Sequence, residues 1–184
     1  SGIHFEFYTF NKKYTMRSIL TGALVLAIIF AACKSRSADA GATPQTASEY
    51  YEKIIELEET MSEPLLTTEA AIKARGDKQD FEGIVRSAKA MEDTIDIRIN
   101  AIKKMEPVGH GGEDFKIVVT RYFEYIKSIY TAYRTIGEAK TEEDRMKAAD
   151  KMASTINGQE AVMANLQAAQ AQFAASNHFT IDAR

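Results

Sequence analysis

Apolar residues recur at every third or fourth position through most of this chain, a spacing that marks long amphipathic helices and no strand. The first stripe runs Tyr50, Ile54, Leu57, Met61 and Leu65, then Leu66, Ala70 and Ile72, with Ser48 as the expected N-cap and Gly76 as the stop. Pro64 lies inside it. A proline removes one backbone hydrogen bond and disfavours helix at the residue before it, so the first helix is expected to kink at Pro64. The second stripe is the cleanest: over residues 77–105, Phe81, Ile84, Ala88, Met91, Ile95, Ile99 and Ile102 form a narrow seam suited to lengthwise packing.

Pro107, Gly109, Gly111 and Gly112 interrupt the pattern. It resumes near Glu113, whose charge suits a helix N-terminus, and continues through Phe115, Val118, Tyr122, Ile126, Ile129, Tyr133 and Ile136 to Gly137. Thr141-Glu142-Glu143-Asp144 reads as a capping box opening a fourth helix, whose stripe is Met146, Ala149, Ala153, Ile156, Met163, Leu166, Ala169 and Phe173. Past Ser176 the helical spacing ends, and Phe179 with Ile181 are expected to fold back on the helices. The fold expected over residues 48–176 is all-α, an up-down-up-down four-helix bundle with its first helix kinked at Pro64. A complete break at Pro64 would give a looser array of five helices instead.

Ahead of the bundle, Arg17 precedes an unbroken apolar and small run over residues 19–32 that ends at Cys33, the only cysteine. The run falls short of the roughly 20 residues of a spanning helix, so it reads as a removable export signal. Met16 is then the expected initiator, and residues 1–15 are read as an upstream or cloning-derived leader with no part in the fold. Residues 34–47, rich in Ser, Ala, Thr and Gly with Pro44, have the composition of a flexible tether.

Phe30-Ala31-Ala32-Cys33 resembles the lipobox of bacterial lipoproteins, with Phe30 where leucine is the commoner residue. The resemblance implies that Cys33 becomes the first mature residue, with diacylglycerol on its sulfur and a further acyl chain on its amine. One acyl chain gives only reversible attachment, so a multiply acylated cysteine would hold the chain on the membrane durably. Lys34 stands where such lipoproteins often carry aspartate for inner-membrane retention, and Lys34 and Arg36 occupy the place of the acidic cluster that accompanies surface display in some groups. The resemblance therefore implies outer-membrane anchoring in the cell envelope on the periplasmic face. Beyond residues 16–33 the likeness to helical-bundle envelope lipoproteins is architectural only.

Charge narrows the partners. There are 23 Lys and Arg against 26 Asp and Glu, a net charge of −3, so no basic excess is available for nucleic acid. The single cysteine permits neither a disulfide nor a cysteine-based metal site, nor attached c-type haem. No Glu is followed at the third position by His, which excludes the carboxylate di-iron bundles. Two histidines stay as candidates. His178 could hold haem with Met61 or Met91, although methionines on a stripe usually fill a core. His110 lies in a glycine-rich turn with Glu106, Glu113 and Asp114, a nitrogen and oxygen set that a transition metal would accept and a helix reversal would equally explain.

The last constellation is aromatic. Tyr122 and Tyr133 belong to the third stripe, while Phe123, Tyr125 and Tyr130 fall toward its flanks beside Arg121. Tyrosine with arginine is the composition of binding hot spots, which makes Tyr125, Tyr130, Phe123 and Arg121 a candidate partner surface. The rings could instead cover grooves between helices with their hydroxyls in water. No nucleophile with a matching base is visible, so the expected role is non-enzymatic binding or structure. The alternative is metal or haem binding through His110 or His178.

Overall fold

The computed structural model describes residues 43–181, and every element in it is helical: α1 (Ala47–Glu59), α2 (Ser62–Asp77), α3 (Phe81–Lys104), α4 (Gly112–Glu138), α5 (Glu142–Ile156) and α6 (Gln159–Ser176). They make an up-down four-helix bundle in which α1 with α2, and α5 with α6, are the two halves of bent helices. Cys33, Lys34 and the remaining targeting residues lie outside the described residues, as do the readings of residues 1–42.

Local chemistry sets the ends. Thr46, and not Ser48, caps α1: its hydroxyl accepts the Glu49 N–H at 3.2 Å while the Glu49 carboxylate accepts the Thr46 N–H, a complete capping box. The bend between α1 and α2 falls at Thr60 and Met61, ahead of Pro64. Pro64 has no N–H to give the Thr60 carbonyl, and inside the first turn of α2 that lack costs nothing. Ser62 Oγ donates to the Glu59 carbonyl at 2.6 Å and takes up one acceptor freed by the break. α3 starts later than residue 77 because Asp80 caps it, accepting the Gly83 N–H at 2.9 Å.

The core follows the stripes and is widest around α4, which packs against α3, α5 and α6. Ile84, Ala88, Met91, Ile95, Ile99 and Ile102 of α3 are all buried, as the seam requires. Gly137 does not end α4. It sits where α3 and α4 touch: a Cβ there would come 2.7 Å from Val85 Cγ2 and 2.9 Å from the Phe81 carbonyl. The expected fourth helix is interrupted at Asn157 and Gly158, two poor helix formers. Its first half buries Ala149 and Met152, while Ala153 and Met146 are exposed.

An aromatic cluster closes one end of the bundle. Phe115 and Phe173 stack at 4.7 Å between centroids, with Tyr50 and Tyr51 against Phe115 at 6.4 Å and 5.8 Å. Phe179 folds back onto Tyr51 at 5.5 Å, so the apolar tail residues return to the bundle. Among the described residues no helix is long and apolar enough to cross a membrane.

Candidate functional site

The connection between α3 and α4 turns on two glycines in left-handed conformations, Gly109 at φ 85° and Gly111 at φ 75°, which presents His110 to solvent. Asn177, just past α6, holds the loop by donating to the His110 carbonyl and accepting from the His110 N–H. Beside it a groove of about 130 Å³ runs between the start of α4 and the end of α6, lined by His110, Asp114, Val118, Gln172 and Ser176 over the Phe115–Phe173 stack. The candidate ligands His110, Glu106, Glu113 and Asp114 are not gathered: among the described residues no three His, Cys, Asp or Glu side chains converge where a metal could sit. His178 is exposed past α6, whereas Met61 and Met91 are enclosed in the core.

The expected partner surface on α4 is largely inside the protein. Tyr130 and Phe123 are 0% and 1% exposed, so neither can meet a partner, and their placement on the flanks is corrected. The reason is that α4 has neighbours on several sides, which buries an arc wider than one stripe. Tyr125 is half-buried, and its hydroxyl makes long hydrogen bonds of 3.4 and 3.5 Å to the Thr155 and Ile156 carbonyls at the break before α6. Of the four residues, Arg121 alone is exposed.

The α3–α4 face carries a charged groove of about 410 Å³ that the stripes did not reveal. Its charges are ordered by pairing across the helices. Lys127 meets Asp96 at 2.6 Å, and Arg134 meets the buried Glu92 at 2.8 Å and Glu138 at 3.1 Å. Thr131 also donates to Glu92. Two hydrogen-bonded carboxylates hold the Arg134 guanidinium above its usual range, Glu92 first and Glu138 second.

A second polar arrangement is enclosed between the bent first helix and α4. The Tyr122 hydroxyl donates to the Glu58 carboxylate, and burial pushes Glu58 up to about 7, opposed by that hydrogen bond and aided by the charge of Glu59. Farther along, burial raises Glu69 to about 7 as well. Glu69 Oε1 and the Tyr130 hydroxyl are both closed off from solvent without a hydrogen-bond partner. Burial, then the charge of Glu69, moves Tyr133 to about 12 and Tyr130 well above the usual phenol range. A sequence signal for this seam existed. Ile54, Glu58, Met61, Leu65, Glu69 and Ile72 advance by four, three, four, four and three, so both glutamates occupy positions in helical register with the core, Glu58 beside the stripe residue Leu57 and Glu69 beside Ala70.

No protein family, curated protein or solved structure matches this chain.

Proposed function

We propose that this chain is a lipid-anchored helical bundle of the bacterial cell envelope, attached through Cys33 and acting by binding or by structure without catalysis. The observation that carries the reading is the sequence Phe30-Ala31-Ala32-Cys33 at the end of the apolar run over residues 19–32, directly followed by a polar tether. A lipid on Cys33 attaches the bundle without asking any of its amphipathic helices to enter the bilayer, which is consistent with stripes that are spent on the core. Lys34 in place of aspartate favours the outer membrane, and the periplasmic face is the preferred side.

The test is Cys33→Ser in a bacterial host, followed by membrane fractionation and incorporation of labelled palmitate. The expected outcome is an unprocessed precursor or release from the membrane, with no label incorporated. Cys33→Ser protein that is fully processed, labelled and still membrane-bound would refute lipidation at this residue.

A further inference from the structure

α1–α2 and α4 run in the same direction, and their side chains meet in matching order: Tyr50 against Phe115, Glu58 against Tyr122, then Glu69 beside Tyr130 and Tyr133. Two of these levels put a carboxyl group into a seam otherwise built from Ile54, Met61, Leu65 and Ile72. An ionised carboxylate is costly in such surroundings unless cations or several donors face it. Glu58 faces one donor, the Tyr122 hydroxyl, with the like charge of Glu59 from its own helix. Glu69 faces Tyr130 and Tyr133, and its Oε1 receives no hydrogen bond. No lysine or arginine of α3, or of any other described helix, is among the groups acting on either carboxyl.

The backbone offers a way to relieve that cost. The first helix is already bent at Thr60 and Met61, between the two glutamates, and α1 approaches no other helix as closely as α2 approaches α3. We propose that Glu58 and Glu69 form a pH-sensitive latch: protonated, they let the bent first helix close on α4, and ionised, they part it from α4 at the bend. The sign follows from the direction of both shifts. Each carboxyl holds its proton more tightly in the closed form, so closure is favoured at acid pH and is lost as pH rises through about 7, the value both groups reach in the fold.

The experiment is amide hydrogen exchange of the full chain at about pH 5.5 and about pH 8.5, corrected for the intrinsic pH dependence of exchange. Protection in α1 and α2 is expected to fall by at least about tenfold at the higher pH while α3 and α4 keep theirs. Glu58→Gln and Glu69→Gln should each shrink that step, and the double variant should remain protected at both pH values. Equal protection of α1 and α2 in the unaltered chain at both pH values would overturn the latch. So would a loss shared equally by α3 and α4, or a step undiminished in either glutamine variant.

Discussion

Asn177 grips His110 from both sides of one residue: its Oδ1 accepts the His110 N–H at 2.7 Å and its Nδ2 donates to the His110 carbonyl at 2.9 Å, across 67 residues of chain. The same amide donates to the Phe173 carbonyl at 2.8 Å, so the end of α6, the α3–α4 loop and the start of α4 are fastened together. Removing one partner of a satisfied hydrogen bond costs about 1–3 kcal/mol. Asn177→Ala is therefore expected to lower stability by about 1–2 kcal/mol in urea unfolding. Gly109→Ala should cost more, because φ of 85° strains any side chain and the new Cβ would lie 2.4 Å from Asn177 Oδ1. Since both changes act on one clamp, the double variant should fall short of their sum. Strict additivity would mean that the two are independent.

The α3 seam separates neighbouring isoleucines. Ile95 is 0% exposed and Ile97 is 64% exposed, two positions apart on the same helix. Ile95→Ala is expected to cost about 3 kcal/mol by leaving a cavity, and Ile97→Ala to stay within about 0.5 kcal/mol. Ile95→Asp should abolish the cooperative thermal transition by burying an unpaired charge. A similar loss at Ile95→Ala and Ile97→Ala would place the seam elsewhere.

What the stripe of α3 made legible, and what α4 hid, differ for a physical reason. α3 buries one narrow arc, so its period alone names its core residues. α4 lies among α3, α5 and α6, and its buried arc takes in Phe123 and Tyr130, which a single stripe assigns to the surface. The first helix hid something different: Leu57 and Glu58 both keep helical spacing between Ile54 and Met61, and both are partly buried, Leu57 packed on the core and Glu58 turned toward Tyr122. A hydrophobic stripe names only the apolar one of two such neighbours, so Glu58 and Glu69 go unmarked. The Thr46–Glu49 capping box is visible in the sequence, and Ser48, nearer to the first apolar position, is the competing cap there. Nothing local marks Asn177, whose partner His110 lies three helices earlier in the chain.

Acid stability turns on the start of α3. The Gly83 N–H, then the Arg75 side chain, hold the Asp80 carboxyl below its ordinary range. A depressed value in the fold contributes stability above the unfolded carboxylate range that is lost as pH falls through the folded value. Asn is as good an N-cap as Asp but carries no charge for Arg75. Asp80→Asn is therefore expected to leave the melting temperature little changed at low pH and lower near neutrality, which flattens the acid limb. A parallel downward shift at every pH would show that the ion pair has no part in it.

Glu92 and Arg134 test how much of the α3–α4 contact is electrostatic. Glu92 is 7% exposed and accepts from Arg134 and Thr131, which places a carboxylate in the wall of the core with its donors supplied entirely by α4. Breaking a fully buried pair costs about 3–5 kcal/mol, and the partial exposure of Arg134 brings the expected cost of Arg134→Met nearer about 2 kcal/mol. Replacing both partners removes the stranded charge as well as the bond. The double variant Glu92→Leu with Arg134→Met is accordingly expected to unfold at a higher denaturant concentration than Arg134→Met alone. If the double variant is instead the weaker of the two, Glu92 is stabilised by Thr131 and its surroundings independently of the arginine.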